Sequence, residues 1–134
     1  MTIKEVSEKF GISQDTLRYY ERVGMIPPVT RTPSGIRNYQ NTDIQWVELA
    51  MCMRNAGLPV EAMIEYVKLT QMGDETIPAR LQLLSEQREA LLEQKNKIDS
   101  TLNRLNYKIG RYEIAVKTGK LTCTDENDDN KQCK

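Results

Sequence analysis

The stretch TIKEVSEKFGISQDTLRYYERVG, residues 2–24, predicts two short helices separated by a tight turn. Thr2 and Glu5 have the spacing of a capping box, which favours the start of a helix at this point. Gly11 ends that helix, because glycine adopts the left-handed conformation at low cost, and Ser13 is a suitable N-cap for the next one. Two helices joined in this way are typical of a helix-turn-helix, whose second helix enters the major groove of DNA.

The following stretch, PPVTRTPSGIRNY at residues 27–39, predicts a hairpin. Two prolines stop the helix, and two short extended arms flank a turn that contains proline and glycine. Arg31 and Arg37 lie one on each arm. After a helix-turn-helix, we interpret such a hairpin as a wing that grips the phosphate backbone, and a surface hairpin without a ligand is the alternative.

Charge is distributed unevenly along the chain. The whole sequence carries 19 basic and 19 acidic residues, so its net charge does not indicate a nucleic-acid ligand. Between residues 16 and 40, however, four arginines face a single glutamate, which gives a local charge of +3, and tyrosines are interleaved with them. Such a surface suits contacts to phosphate, although a solvated polar face has the same composition. The residues are Arg18, Arg22, Arg31, Arg37 and Glu21, with Tyr19, Tyr20 and Tyr39.

The composition excludes several classes of function. No histidine occurs among the 134 residues, which removes histidine-based triads, general bases and metal ligands. No glycine-rich phosphate loop takes their place, and no carboxylates cluster on a segment predicted to fold, so we expect neither enzyme activity nor a cofactor. No run of 18 apolar residues is present, so we expect no membrane contact. Three sparse cysteines fit reduced thiols in the cytoplasm.

Two more helices are predicted after the hairpin. One spans residues 42–57 and begins with a capping box at Thr42. The other spans residues 59–71, with Pro59 in its first turn. Together with the preceding elements they complete an N-terminal domain at residues 1–72.

Apolar residues from 77 to 116 recur at alternating steps of four and three positions, and we call these twelve positions the seam. Heptads sustained over this length predict a coiled coil. At about 1.5 Å per residue, about 40 residues of helix extend about 60 Å, too far to be covered by one small domain. Ten of the twelve positions are apolar or aromatic: Ile77, Leu81, Leu84, Leu91, Ile98, Leu102, Leu105, Ile109, Tyr112 and Val116.

We therefore expect residues 73–117 to form the dimerisation helix of a homodimer. The alternative is a helix packed within a monomeric bundle, but the chain offers no second long helix for it. The heptads alone do not distinguish a parallel pair from an antiparallel one. Residues 118–134 are acidic and low in hydrophobicity, which predicts a disordered tail.

The run TLRYYERVGMIPP at residues 16–28, followed by Arg31 and by GIRNY at residues 35–39, closely resembles the MerR family of bacterial transcription regulators. The resemblance extends from residue 1 to about residue 117. It implies a mainly α fold, with an N-terminal winged helix-turn-helix and a long antiparallel coiled-coil dimerisation helix. It also implies a homodimer that bends and untwists double-stranded promoter DNA, which realigns the elements that bacterial RNA polymerase contacts.

The resemblance further implies a set of DNA contacts. Tyr20 is expected to pack inward, and Ile36 departs from the family, which often has tyrosine at that place. The expected contacts are Arg18 and Tyr19 on the recognition helix, Arg31, Arg37 and Tyr39 on the wing, and Arg54 at the end of the following helix.

The residues around Cys52 indicate a candidate inducer. Together with the downstream residues 73–80, they are similar to the aldehyde- and electrophile-responsive branch of the family, which is linked to a lone cysteine on this helix. A thiolate is the nucleophile toward a carbonyl carbon or an oxidant. Cys52 is therefore a candidate sensor in a stress response, and the alternative is a small core residue, since free cysteines are often buried.

Cys123 and Cys133 suggest a different inducer. Their spacing after the long helix resembles the metal-binding loop of metal sensors in the same family, and two thiolates suit Cu(I) or Zn(II). The polar segment between them offers no apolar residue to bury such a site. We keep a thiol-ligated metal response as the alternative to aldehyde sensing.

Overall fold

The computed structural model describes residues 1–121, which form five α-helices and one 3-10 turn. By their internal contacts these residues divide into two units, one that ends at Leu91 and one that begins at Leu92. The elements are α1 (Ile3–Phe10), α2 (Gln14–Val23), α3 (Asn41–Asn55), α4 (Val60–Gln71), the 3-10 turn (Asp74–Thr76) and α5 (Ile77–Thr118). Helix α5 runs through the boundary between the two units.

The caps of the first two helices confirm the sequence prediction. The Thr2 hydroxyl accepts a hydrogen bond from the Glu5 amide at 3.1 Å and donates to the Glu5 carboxylate at 3.2 Å. Gly11 takes a φ of 66°, the left-handed conformation that ends α1. The Ser13 hydroxyl then accepts from the Thr16 amide at 3.0 Å and starts α2.

Helix α3 begins one residue earlier than predicted. Its N-cap is Gln40 rather than Thr42, and the residue that completes the cap is Asp43. The Asp43 carboxylate accepts from the Gln40 amide at 2.8 Å and from the Thr30 amide at 3.4 Å. Asp43 is only 8% exposed, and these two amides supply the hydrogen-bond donors that a buried carboxylate requires.

The wing, residues 29–39, is shorter than a hairpin of two full strands. Within residues 1–121 its strand pairing is limited to one antiparallel bridge between Arg31 and Arg37. Hydrogen bonds on either side hold it, from the Asn38 amide to Thr30 at 2.7 Å and from the Thr32 amide to Ile36 at 2.8 Å. Gly35 closes the turn at a φ of 87°, a conformation that favours glycine.

The core of the first unit lies between α1, α2, α3 and α4. It is built mainly from aliphatic and methionine side chains that are almost fully buried. Its largest members are Tyr39, Leu17, Met25, Ile26, Met63, Val6 and Val47. This small core fixes which face of each helix is left to solvent.

The joint between α4 and α5 is held by polar contacts. The Thr76 hydroxyl is within hydrogen-bond distance of the carbonyl oxygens of Leu69 and Gly73. The Arg80 guanidinium donates to the same hydroxyl at 2.9 Å and to the Gly73 carbonyl. The first turn of α5 is thereby tied to the last turn of α4.

The apolar seam of α5 is unburied along its whole length. None of the 42 residues of the helix is buried, and each of the ten apolar seam side chains is at least 38% exposed. No helix within residues 1–121 combines the length and the apolar character that crossing a lipid bilayer requires.

Candidate nucleic-acid interface

Helix α2 presents a basic and aromatic face to solvent. Leu17 and Tyr20 turn into the core, at 0% and 7% exposure, which confirms the inward packing expected of Tyr20. Arg18, Tyr19 and Arg22 therefore lie outside. Arg22 lies over the Tyr19 ring, with the guanidinium carbon 5.5 Å from the ring centroid, a cation–π arrangement.

The guanidinium group of Arg18 is held only by weak surface contacts. Its guanidinium lies 3.0 Å from the Asp15 carboxylate and 3.4 Å from the Gln14 amide oxygen. The Asp15 side chain is 94% exposed, and such surface pairs contribute little to stability. Arg18 can therefore exchange this partner for a phosphate or a base edge.

The two arginines of the wing meet at one carboxylate of α2. The Glu21 oxygen Oε1 lies 2.7 Å from Nε of Arg37 and 3.4 Å from Nη2 of Arg31. Its second oxygen accepts a hydrogen bond from the Val29 amide at 2.7 Å. Arg31 also donates from Nη1 to the Gly35 carbonyl at 3.0 Å, which holds it against the turn. The structure thus brings the recognition helix and both arms of the wing together.

Tyr39 is placed in the core instead of on the wing surface. Its side chain is 1% exposed, so the expected wing contact has no accessible ring in the free chain. Its backbone pairs with Met1, whose amine donates to the Tyr39 carbonyl at 2.7 Å. Tyr39 is buried because the end of the wing packs onto the core, and a local sequence pattern does not show such packing.

The Tyr39 hydroxyl has an unusual environment. Among the residues described it has no hydrogen-bond partner. Burial raises its pKa above the ordinary value of 10.0, Arg37 opposes that rise, and the carboxylates of Glu21 and Asp43 add to it. The hydroxyl is therefore kept protonated in the folded chain.

Arg54 lies in the last turn of α3. It is exposed and donates to the Leu58 carbonyl at 3.3 Å. Burial raises the pKa of Tyr20, and the positive charge of Arg54 acts in the opposite direction. Its remaining donors are available at the surface.

Cys52 is exposed on α3, which is the opposite of the core position that free cysteines often take. Arg54 follows it by two residues, a spacing at which side chains on a helix do not face each other. Cys123 and Cys133 lie outside the described residues. Within residues 1–121 no group of three or more acidic, cysteine or histidine side chains is arranged to hold a metal ion.

Arg22 and Glu21 belong to the charged stretch of the sequence, but the family resemblance did not include them among the expected DNA contacts. Arg22 follows Arg18 by four residues and Tyr19 by three, so helical spacing alone would have placed it on the same face. Glu21 had no such signal, because its partners lie 8, 10 and 16 residues further along the chain.

Comparison with known proteins identifies a family of transcription regulators. The model of the MerR HTH family regulatory protein matches residues 1–69. The HTH-type transcriptional regulator AdhR of Bacillus subtilis is 54% identical over 93 residues, which are 69% of this chain and 66% of that protein, just under two thirds. An uncharacterised HTH-type transcriptional regulator of Haemophilus influenzae is 33% identical over 90% of this chain and 89% of its own length.

A solved structure adds a DNA complex to these relatives. It is HiNmlR, described as a MerR family regulator that lacks the sensor domain, bound to promoter DNA. The present chain is similar to it with a TM-score of 0.78 and 34% identity, over 88% of this chain and 94% of that one.

Replacing Tyr39 by phenylalanine tests the burial of the unpartnered hydroxyl. We expect Tyr39→Phe to raise the free energy of unfolding at pH 7 by about 1 kcal/mol, because a buried group without a partner is removed. The wild-type chain should lose stability as the pH rises above about 10, since the unfolded tyrosine ionises there while the folded one stays protonated. The variant should lose less stability over the same rise in pH. Urea unfolding at pH 7 and above pH 10 measures the free energy of unfolding of each chain.

Tyr19→Phe, on the exposed face of α2, is the matched control and should change neither value. A lower free energy of unfolding for Tyr39→Phe at pH 7 would show that the hydroxyl has a partner. A loss of DNA affinity with stability retained would return Tyr39 to the set of wing contacts.

Proposed function

The chain belongs to the MerR family of helix-turn-helix transcription regulators, and from that premise we propose that it acts as a homodimer that distorts promoter DNA in response to aldehydes or other electrophiles. The family membership makes it a DNA-binding regulator, and its relatives are named as transcriptional regulators and not as enzymes. We propose that residues 1–72 form a DNA-binding domain, residues 73–117 a dimerisation helix and residues 118–134 a tail.

The observation that carries DNA binding is the exposed basic face of α2 beside the wing. Arg18 and Tyr19 are the proposed contacts in the major groove, where arginine reads guanine edges and aromatic rings meet thymine methyl groups. Arg31, Arg37 and Arg54 are the proposed phosphate contacts, which fix orientation without reading sequence. The similar regulator HiNmlR, solved bound to promoter DNA, supports DNA binding by this fold.

The exposed seam of α5 supports the homodimer. A helix that buries none of its apolar positions gains no packing stabilisation, while a second copy of the same seam supplies the knobs and holes of a coiled coil. The antiparallel orientation is taken from the family resemblance. A two-fold dimer would present two copies of α2 to successive major grooves of a palindromic operator.

Activation is proposed to work through the shape of the DNA. A dimer that bends and untwists the promoter pays a deformation energy of about 1–6 kcal/mol, which its phosphate contacts offset. The distortion would bring the two promoter elements into register for bacterial RNA polymerase. The switch then requires two arrangements of the dimer that differ in how strongly they bend the duplex.

Cys52 is the proposed sensor. Its exposure gives an aldehyde access, and its thiolate would attack the carbonyl carbon: a C–S bond forms, the C=O π bond breaks, and the oxygen takes up a proton from water. Helix α3 packs against α4 through Trp46 and Tyr66, whose ring centroids are 5.7 Å apart. An adduct on α3 would alter this packing, and a few kcal/mol of difference is sufficient to shift a two-state equilibrium.

The DNA-contact proposal is tested by Arg18→Gln. We expect about a tenfold to hundredfold loss of affinity for a duplex that carries the promoter of the protein's own gene, because one base-edge contact contributes about 1–3 kcal/mol. Fluorescence anisotropy with a labelled duplex measures the affinity. Lys97→Gln removes the same charge from an exposed site on α5 and is expected to bind like wild type.

Equal losses in the two variants would mean that only net charge matters and would contradict a specific role for Arg18. Binding that does not weaken between 50 and 200 mM salt would argue against phosphate contacts altogether, since these release counterions.

The dimer proposal is tested by Leu102→Glu and Ile114→Glu. Both side chains are more than half exposed, but Leu102 lies on the seam and Ile114 lies on the opposite side of the helix by its heptad position. We expect Leu102→Glu to sediment as a monomer and Ile114→Glu to remain a dimer, because only the first places a charge in the coiled-coil interface. A wild-type monomer at micromolar concentration would contradict the proposal.

The sensor proposal is tested by transcription in vitro with Cys52→Ser. Purified polymerase and the promoter of the protein's own gene are combined with wild type or variant, with and without formaldehyde or methylglyoxal, and separately with Zn(II) or Cu(I). We expect aldehyde-dependent transcripts with wild type that are lost in Cys52→Ser, because serine lacks the nucleophilic sulfur.

Cys123→Ser with Cys133→Ser is the matched control and should keep the aldehyde response. An unchanged aldehyde response in Cys52→Ser would refute the sensor role. A metal response that is lost only in the double variant would support the alternative, in which Cys123 and Cys133 bind the inducer.

A further inference from the structure

Glu21 occupies a singular place in the proposed interface. It is the one acidic residue between positions 16 and 40, and its side chain is only 11% exposed. Its carboxylate contacts three separate points of the wing region, namely the guanidinium groups of Arg31 and Arg37 and the Val29 amide. One side chain of the recognition helix thus fixes both arms of the wing.

The contacts leave the arginines able to bind a second anion. Arg37 uses Nε toward Glu21, and Arg31 uses Nη2 toward Glu21 and Nη1 toward Gly35. A guanidinium has five N–H donors in a planar fork, so each arginine keeps donors that Glu21 does not occupy. The side chains of Arg31 and Arg37 are 43% and 24% exposed, which keeps part of each at the surface.

Two opposite effects of Glu21 on DNA binding can be derived from these facts. Its negative charge repels phosphate and, considered alone, weakens association. Its geometry restricts two long side chains that otherwise lose rotamer freedom on binding, and so it lowers the entropic cost of contact. Because the carboxylate is nearly buried and bonded by all three partners, its charge is largely compensated locally, and the second effect outweighs the first.

We propose that Glu21 is a positioning residue for DNA binding, which sets the wing arginines relative to the recognition helix so that both meet the same duplex. The proposal rests on the proposed DNA-binding function. It assigns a negatively charged residue to a favourable role in binding a polyanion. It also gives a reason for a carboxylate at the centre of a basic surface.

The test separates the effect of the negative charge of Glu21 on DNA affinity from the effect of its contacts with the wing. Glu21→Gln removes the charge and the two ion pairs but keeps an oxygen for the Val29 amide. Asp15→Asn removes one negative charge from the same helix at a site that is 94% exposed and does not touch the wing. Affinities are measured for the promoter duplex of the protein's own gene and for a scrambled duplex of equal length, between 50 and 200 mM salt.

We expect Glu21→Gln to lose about tenfold in affinity for the promoter duplex, a loss comparable to that of one mismatched base pair. The plot of log affinity against log salt should become shallower, with a slope smaller in magnitude by about 1 to 2, because up to two phosphate contacts are lost. Binding to the scrambled duplex should weaken by a similar factor, because phosphate contacts do not read sequence. Asp15→Asn should bind both duplexes as tightly as wild type or more tightly.

Double variants localise the effect. In a chain that carries Arg31→Gln and Arg37→Gln, adding Glu21→Gln should no longer reduce promoter affinity, since the side chains that it positions are absent. Glu21→Asp keeps the charge but shortens the side chain by one methylene, and it should also lose promoter affinity. This variant provides the test if Glu21→Gln does not fold, which circular dichroism and thermal melting will show.

Tighter promoter binding by Glu21→Gln, or the same loss with and without the two arginines, would overturn the positioning role while leaving DNA binding intact. Wild-type affinity in Glu21→Asp would overturn it as well. A wild-type chain that binds promoter and scrambled duplexes equally, without salt dependence, would instead refute the proposed function, and the positioning role with it.

Discussion

Helix α2 contributes one face to the buried core and the other to the exposed basic surface. This double requirement determines how most of the first unit is packed. Leu17 and Tyr20 must be buried for the small core to form, and the 3.6-residue period then directs Arg18, Tyr19 and Arg22 outward. Helices α1, α3 and α4 supply the other walls of that core, so they determine how α2 is presented to a ligand. The wing adds to the same face because Glu21 ties Arg31 and Arg37 to α2.

The long helix α5 differs from α2 in that its apolar face has no core to pack against within residues 1–121. Its sequence repeats apolar residues over some 40 positions, yet none of its residues is buried. Individual exposed leucines are ordinary on protein surfaces, but an exposed apolar stripe of this length is typical of an interaction surface. The first turn of α5 is held to α4 by Thr76 and Arg80, so a second copy paired along the seam would be coupled to the DNA-binding head through a polar joint and not through a free linker.

Sequence patterns predicted the parts of this structure that depend on near neighbours. The caps at Thr2 and Ser13 and the inward face of α2 are all determined by residues within one or two helical turns. The start of α3 was predicted wrongly because Asp43 also serves the Thr30 amide, a contact across 13 residues that no local pattern encodes. The burial of Tyr39 and the three contacts of Glu21 were not predicted for the same reason. The expected DNA contacts and the expected antiparallel pairing came from the resemblance to a family, because neither follows from periodicity.

Helix α3 connects the features that the proposed switch requires. At its first turn, Asp43 accepts hydrogen bonds from Gln40 and from Thr30 of the wing, and Asp43 is nearly buried. At its last turns it carries Cys52 and Arg54, both exposed. A helix of 15 residues moves as a rigid element, since its backbone hydrogen bonds couple one end to the other. A shift of α3 caused by an adduct at Cys52 would therefore be felt at Asp43, and through the Thr30 amide at the wing that holds Arg31 and Arg37. Under the proposed function, the Asp43 carboxylate would therefore connect the proposed sensor to the proposed phosphate contacts, without any change in α2 itself.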